Sequence, residues 1–324
     1  MFQSEVVIVI PVFNDDASLL ALLDRLAVCI RGQPAAMSVL VVDDGSFPAL
    51  DLGSAGPDLG LSGEILTLRR NVGHQRAIAI GIAYAVANKI GKTVLVMDGD
   101  GEDNPDDVHR LISACSALPS PGIVVAERAK RSEGLAFLAF YWLYRWLFVV
   151  LTGKKIRFGN FSAMPASAAE RLANMSELWL SLPGAILRSR LPITNLSTER
   201  GRRYFGTSKM NFVALVVHGL SAMAVFVEQA FTRIVLFALS LSALVIGASV
   251  VAIIFKLIGW STPGWMTTVV GISLVILLNI ATLGYVSLSL SIVGNLAAVA
   301  PPSVSYATYI LAVSRFGATQ PPQT

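Results

Sequence analysis

Between Ile234 and Ala300 the chain carries a single charged side chain, Lys256, and no acid. Nothing constrains its folding more, because a helix needs only about 20 consecutive apolar residues to cross a bilayer. The first run extends from Ile234 to Ile258, with Lys256 close enough to its end to snorkel into the headgroups. Gly259-Trp260-Ser261-Thr262-Pro263-Gly264 breaks it. A second run starts near Trp265 and continues to about Ala300, where Pro301-Pro302 stops it. The pattern predicts a two-helix transmembrane hairpin over 234–300, with Trp260 and Trp265 at one interface and a C-terminal tail over 301–324. Buried core helices would explain one such run, but two side by side argue against them. Composition agrees: 54% of residues are hydrophobic and 14% charged, against about a quarter charged in ordinary soluble domains.

The charge elsewhere is segregated. Residues 1–127 carry 8 basic and 16 acidic side chains, and residues 128–233 carry 15 basic and 5 acidic. Arg200, Arg202, Arg203, Lys209 and Arg233 precede the first span, so the positive-inside rule puts that side, and the large domain with it, in the cytoplasm. The expected location is the inner (cytoplasmic) membrane, multi-pass. Met1-Phe2-Gln3-Ser4-Glu5 lacks the basic start of a signal peptide. Cys29 and Cys115 form no CxxC or CxxH pattern, so buried free thiols are expected rather than a zinc site or disulfide.

Residues 1–211 read as alternating strands and helices. Val6–Ile10 is a β-branched run, as in a strand buried on both faces. Leu19, Leu22, Leu23 and Leu26 share one face of a helix between Ser18 and Ile30. Further strands are predicted at Val39–Val42, Ile65–Leu68, Val94–Met97 and Ile123–Ala126, with an Ala-rich helix from Gln75 to Lys89. The pattern predicts an α/β domain with a mostly parallel sheet covered on both faces. Ligands bind such sheets beyond the carboxyl ends of their strands. Here those ends carry Asn14-Asp15, Asp43-Asp44 and Asp98-Gly99-Asp100-Gly101-Glu102. No GxGxxG follows the first strand and no GxxxxGK[ST] occurs, which disfavours dinucleotide and P-loop sites. No nucleic-acid partner is expected.

If the segment after the fourth strand is extended, Asp98, Asp100 and Glu102 alternate onto one side and converge. Carboxylate oxygens with open positions suit Mg²⁺ or Mn²⁺. A solvated acidic turn is the competing reading. The buried strand before these acids, and matching acids after another strand, favour the metal.

Four ordered segments now resemble the motifs of family 2 glycosyltransferases. They are Pro11-Val12-Phe13-Asn14-Asp15, Val41-Val42-Asp43-Asp44-Gly45-Ser46, Asn71-Val72-Gly73-His74-Gln75-Arg76-Ala77 and Met97-Asp98-Gly99-Asp100-Gly101-Glu102-Asp103. Arg203-Tyr204-Phe205-Gly206-Thr207-Ser208-Lys209, followed by the two spans, resembles the branch containing dolichol-phosphate mannose synthases and polyprenyl-phosphate glycosyltransferases. The resemblance implies a GT-A (Rossmann-like) domain, a nucleotide-sugar donor and a polyprenyl-phosphate or other lipid acceptor, with envelope glycan synthesis as the setting. It implies that Pro11, Phe13, Asn14, Asp15, Asp43, Asp44, Gly73, Arg76 and Asp98 bind the nucleotide-sugar. Asp98 and Asp100, with Glu102 where that branch often has Gln, would hold the metal on the diphosphate. A homo-oligomer remains open.

A departing sugar diphosphate develops negative charge, which cations stabilise. Asp100 with its metal, Arg128 after the fifth strand, and Arg203 and Lys209 in the R-x-x-G-x-S-K motif are therefore the expected catalytic groups. A juxtamembrane basic patch attracted to anionic lipid is the alternative, and is favoured for Lys154, Lys155, Arg188 and Arg190. The aromatic segment 135–151 suits a helix lying in the headgroup layer, and 212–233 a juxtamembrane amphipathic segment. Arg145-Trp146 echoes the QxxRW motif of processive synthases, but Trp142 stands where Gln would be, and that reading is dismissed. Gly159-Asn160-Phe161-Ser162-Ala163-Met164-Pro165 aligns with a segment that in several relatives reads Gly-Asp-Phe-Arg-x-x-Asp, so two carboxylates are absent. A hydroxyl acceptor needs a general base, whereas a phosphomonoester arrives ionised. The loss favours a lipid phosphate. A lipid-hydroxyl acceptor with Asp103 or Asp106 as base, or a non-catalytic scaffold, remain the alternatives. His74 and Gln75 are read as site-facing, helix-capping or supporting residues; His109 and His218 as structural.

Overall fold

The computed structural model describes residues 5–31, 35–50, 52, 61–118, 121–128, 142, 146–156, 158–199, 201–205, 219–260, 262, 264–296 and 299–317, with backbone alone for Arg128 and 287–296. The chain divides into two compact units. One comprises Met1–Tyr141, Ile156–Val225 and Ala300–Thr324; the other Trp142–Lys155 and Phe226–Val299.

The first unit is built on an eight-stranded sheet. Its strands are β1 (Val6–Val12), β2 (Met37–Asp43), β3 (Gly63–Leu68), β4 (Thr93–Val96), β5 (Ile123–Arg128), β6 (Ser162–Pro165), β7 (Ile193–Thr198) and β8 (Ile310–Phe316). They lie in the order β7-β5-β6-β4-β1-β2-β3-β8. β1 is central and every residue in it is buried. Because successive strand residues face opposite ways, Val7 and Val9 join one apolar layer with α2 (His74–Ala87), α4 (Ala166–Ala173) and α5 (Leu182–Ser189). Val6, Ile8, Ile10 and Val12 join a second layer with α1 (Asp16–Ile30) and α3 (Val108–Ala117). In α1 the expected stripe Leu19, Leu22, Leu23 and Leu26 is buried. The Ala-rich sequence of α2 lets it lie directly on the sheet, since a Cβ on Gly81 would come within 2.5 Å of Val9.

The five predicted strands are present, and β3-β2-β1-β4 run parallel as expected. The sheet as a whole is mixed. β6, a strand not foreseen from the sequence, separates β4 from β5 and pairs antiparallel with both. The expected C-terminal tail is a correction. After a short helical turn, α8 (Pro302–Ser305), residues 310–316 form β8, antiparallel to β3. Phe316 closes that edge, its ring over Gly63, where a Cβ would lie 2.8 Å from it. Trp179 Nε1 donates to the Ala300 carbonyl at 2.9 Å and its ring meets Tyr309, fixing the return of the chain.

The second unit contains α6 (Val227–Leu257) and α7 (Trp265–Leu296). At 1.5 Å per residue, α6 is about 46 Å long, beyond the roughly 30 Å of a hydrocarbon core. Both helices are long and apolar enough to cross a membrane. α6 begins at Val227, earlier than the predicted Ile234. Of the aromatic segment 135–151, residues 135–141 and 143–145 lie outside the described residues; 146–152 are helical and group with α6 and α7. Phe148 meets Phe226 edge-on, and Arg233 Nη1 donates to the Val149 and Val150 carbonyls at 3.1 and 2.7 Å. Trp142, Trp146, Leu147 and Val150 are exposed.

Candidate functional site

The crevice beyond the carboxyl ends of β1 and β4 marks the point from which the strand order runs outward in both directions, where an open α/β sheet binds ligands. The loops after β1 and β2 are tied together there. Asn14, in the left-handed region at φ 49°, donates its backbone N–H to Ser46 Oγ at 2.9 Å and accepts the Phe47 N–H at its Oδ1 at 2.9 Å. Asp43 is fully buried and its Oδ1 accepts the Ser46 N–H at 2.9 Å. Phe13 and Phe47 stay exposed, by 41% and 90%, beside these bonds. Pro11 lies at the end of β1, its carbonyl 3.1 Å from where a Cβ on Gly99 would stand.

Asp44 accepts the Val72 N–H on Oδ1 at 2.7 Å and the Gly73 N–H on Oδ2 at 3.0 Å. It thus holds the loop that launches α2. Burial pushes its pKa up in spite of those two donors. Gly73, at φ 93°, makes the turn that delivers His74 to the first residue of α2. Arg76, in the first turn of α2, is solvent-facing.

The carboxylates of the fourth motif are held both within their own loop and by a segment distant in sequence. Asp103, buried, accepts the Asp98 N–H at 2.9 Å and so shapes the loop. Asp100 Oδ1 accepts the Glu102 N–H at 3.0 Å. Arg203 bridges Asp15 and Asp100, with Nη2 at 3.2 Å from Asp15 Oδ2 and Nη1 at 3.5 Å from Asp100 Oδ2. Its Nε is buried with no hydrogen-bond partner among the described residues. The segment carrying Arg203 crosses this loop closely: the Gly201 N–H donates to the Glu102 carbonyl at 2.9 Å and the Tyr204 N–H to the Asp100 carbonyl at 3.1 Å.

On the other side of Asp98 lies a second cluster. His74 Nε2 is 3.2 Å from Asp98 Oδ1, and Asn160 Nδ2 donates to the same oxygen at 3.3 Å. His74 keeps 46% of its side chain exposed; partial desolvation acts to lower its pKa, but the Asp98 carboxylate, with Asp100 and Asp44 behind it, outweighs this and raises it. Gln75 Nε2 donates to Asn160 Oδ1 at 2.9 Å, and the Leu182 N–H donates to Gln75 Oε1 at 2.8 Å.

The expected trio of Asp98, Asp100 and Glu102 does not converge. Among the described residues no three His, Cys, Asp or Glu side chains are arranged to hold an ion. The reason is local: β4 ends at Val96, residues 99–100 form a turn and Gly101 sits at φ 87°, so the alternation of an extended segment is lost. Asp98 and Asp100 remain a chemically suitable pair, because Mg²⁺ usually binds through one or two carboxylates plus substrate phosphate. Burial, then the nearby Asp98 and Glu102 charges, raise the Asp100 pKa against the pull of the Glu102 N–H and Arg203. A divalent cation would answer that excess of negative charge. The structure thus brings Asp15, Asp98, Asp100 and Arg203 to one crevice. The side chain of Arg128, at the end of β5, and all of Lys209 and His218 lie outside what is described. The roles of Asn160 and Ser46 were not read from the sequence. Neither residue type is a strong marker, although an Asn in a position otherwise filled by a carboxylate was a usable signal for the first.

The family model of glycosyl transferase family 2 matches residues 7–172. Dodecaprenyl-phosphate galacturonate synthase of Rhizobium johnstonii is 28% identical over 63% of this chain and 63% of its own. Undecaprenyl-phosphate 4-deoxy-4-formamido-L-arabinose transferase of Pectobacterium atrosepticum is 30% identical over 64% of this chain and 63% of its own. The match thus spans less than two thirds of the length of these curated relatives. Among solved structures, glucosyl-3-phosphoglycerate synthase from Mycobacterium tuberculosis, in complex with Mn²⁺, UDP-glucose and phosphoglyceric acid, superposes with a TM-score of 0.50 at 14% identity, over 70% of this chain and 80% of that one.

Proposed function

The chain belongs to glycosyl transferase family 2, and we propose that it is a membrane-anchored, inverting enzyme that moves a sugar from a nucleotide-sugar to a polyprenyl phosphate, with Mg²⁺ or Mn²⁺. The observation that carries this reading is Arg203 bridging Asp15 and Asp100 at the carboxyl ends of β1 and β4, beside Asp98. The names of the relatives supply the acceptor class. The hairpin of α6 and α7, with Arg202, Arg203 and Arg233 before or at its start, supports a multi-pass inner-membrane protein whose large domain faces the cytoplasm.

A divalent cation on Asp98 and Asp100 would neutralise charge on the donor diphosphate. The loop pair bound through Asn14, Ser46 and Phe47 offers exposed Phe13 and Phe47 beside the donor-binding end of β1 and β2. Arg203 holds two carboxylates in place, and its guanidinium, whose Nε has no partner among the described residues, suits bidentate recognition of phosphate oxygens. Leaving-group charge would therefore develop against a cation already fixed by its neighbours.

The acceptor side favours a phosphate over a hydroxyl. Asn160 bears an amide and takes up no proton. Asp103 is buried against the Asp98 N–H. Asp106 accepts from Cys29 and Arg25, and these bonds hold its pKa below the ordinary carboxylate range. Neither acid is placed as a general base, and an ionised lipid phosphate requires none.

The test is a donor screen on the full chain in detergent with Mg²⁺ or Mn²⁺, offering polyprenyl phosphate, the corresponding polyprenol, and diacylglycerol. The expected result is an acid-labile product from polyprenyl phosphate alone, abolished by chelator and by Asp98→Ala. An acid-stable product from either hydroxyl lipid would overturn the acceptor reading; full turnover in excess chelator would overturn the metal.

A further inference from the structure

We infer that Gln75 and Asn160 are positioning residues for Asp98, forming an amide relay that carries the polarity of a backbone N–H at the start of α5 to that carboxylate. The inference rests on the proposed role of Asp98 as a ligand of the donor's cation.

The argument is one of hydrogen-bond direction. Leu182 is the first residue of α5, and the first N–H groups of a helix have no partner within it. Leu182 is fully buried, so its N–H needs a protein acceptor. It can only donate, and the side-chain oxygen of Gln75 receives it at 2.8 Å. That turns Gln75 Nε2 toward Asn160, whose Oδ1 accepts at 2.9 Å. Asn160 is thereby turned as well, and its Nδ2 faces Asp98 Oδ1 at 3.3 Å. With either amide reversed, like would face like at some point along the line. Pairs of residues separated by 107, 85 and 62 positions in sequence thus share one sense. His74 Nε2 lies 3.1 Å from Asn160 Nδ2 and 3.2 Å from Asp98 Oδ1. Since Nδ2 is a donor, His74 Nε2 accepts from Asn160 when it carries no hydrogen and donates to Asp98 when it carries one. In both states Asn160 Nδ2 keeps a hydrogen for Asp98. A donor fixed on Oδ1 sets the orientation of the carboxylate before a ligand arrives, as hydrogen bonds to metal-ligating carboxylates do.

A purely structural Gln75 would only satisfy Leu182. Gln75→Glu separates the two roles. It keeps the size and the acceptor for the Leu182 N–H, but at pH 8 the new carboxylate has no hydrogen for Asn160. The Asn160 amide then turns over to donate to that carboxylate, and its oxygen faces Asp98. The experiment measures binding of Mn²⁺ alone, up to millimolar concentration, by electron paramagnetic resonance of the free ion, on full-length wild type, Gln75→Glu, Asn160→Ala and the double variant. Thermal unfolding of each accompanies it. Both single variants should bind Mn²⁺ about 10- to 100-fold more weakly, with unfolding midpoints near wild type. The double variant should be no weaker than the weaker single one, as members of one network are not additive. Gln75→Glu binding within twofold of wild type, while wild type binds, would overturn the relay alone. Should Gln75→Glu unfold, Asn160→Ala, which leaves Gln75 in place, decides the matter by the same twofold criterion. Wild type binding no Mn²⁺ would show that Asp98 is not set for the ion before the diphosphate arrives and would overturn the relay, while the metal reading itself is overturned by full turnover in excess chelator.

Discussion

Gly201→Ala tests whether the crossing of two loops sets the position of Arg203. The Gly201 N–H donates to the Glu102 carbonyl, and a Cβ on Gly201 would stand 2.2 Å from the Gly101 carbonyl oxygen. The obstacle is backbone, and Gly101 is itself confined: it sits at φ 87°, and a Cβ on it would meet the Tyr204 ring at 2.5 Å. Ordinary contact begins near 3.4 Å. The loops must therefore part by roughly 1 Å, a displacement that can lower catalysis on the order of 100-fold when it moves a positioning group. Arg203, two residues on, is held at 3.2 Å from Asp15 and 3.5 Å from Asp100, and both distances would lengthen. The expected result is a kcat/KM lower by about 100-fold, or ~2.7 kcal/mol in the barrier, with the thermal midpoint changed by only a few degrees. Gly271→Ala in α7, where nothing lies within 4 Å, is the control and should leave both unchanged. The assay is sugar transfer to polyprenyl phosphate by the full chain in detergent. Gly201→Ala retaining more than half of the wild-type kcat/KM would refute the reasoning.

Arg203→Lys keeps the charge but loses the fork that spans Asp15 and Asp100, so kcat should fall about tenfold or more while donor KM changes little; Arg203→Ala should fall further, by about 10²–10³. Equal kcat in wild type and Arg203→Lys would reduce its part to charge alone. Phe316→Ala empties a buried position at the β3–β8 edge and should destabilise the large domain by about 3–5 kcal/mol; a loss below about 1 kcal/mol in denaturant titration would mean that β8 merely rests there. The raised pKa of His74 means that the folded chain favours the imidazolium. That stability is complete below the unfolded value of about 6.5 and is lost as pH rises through the higher folded value. Without divalent metal, the thermal midpoint of wild type should therefore fall between about pH 6 and pH 8.5 more steeply than that of His74→Gln, and parallel slopes would contradict it.

The parallel core was legible because each of its strands is a short buried β-branched run bounded by acids, glycines or prolines. Val6–Ile10 is the plainest case: every residue is buried, and the alternation of its two faces between α1 and α2 follows from strand geometry. The two apolar helices were legible for the same kind of reason, since each is an apolar run long enough to cross a membrane. β6 and β8 were not. β6 is a four-residue segment ending at Pro165, and β8 joins β3 across a separation of about 250 residues with most of its side chains exposed. β6, buried inside the sheet, is too short to show a period, and β8, an edge strand mostly in solvent, has its pairing decided by the partner.

The site divides along the same line. Asp98 and Asp100 could be found because acids directly after a buried strand are unusual. Their orientations could not, because these depend on polar contacts from Arg203, His74 and Asn160, the last held in turn by Gln75, each supplied by a distant segment. Extended alternation was the wrong rule for 98–102 because Gly101, at φ 87°, turns the chain. The segregation of charge along the sequence also acquires a physical meaning. Residues 1–127 hold twice as many acidic as basic side chains, and the crevice collects Asp15, Asp98 and Asp100 from them. Arg203 comes from the basic stretch and neutralises two of the three at once. Asp100 nevertheless keeps a raised pKa, through burial first and the Asp98 and Glu102 charges after it. On the proposed reading, a divalent ion arriving with a diphosphate would bring positive charge to these carboxylates, and the diphosphate would bring an anion for Arg203.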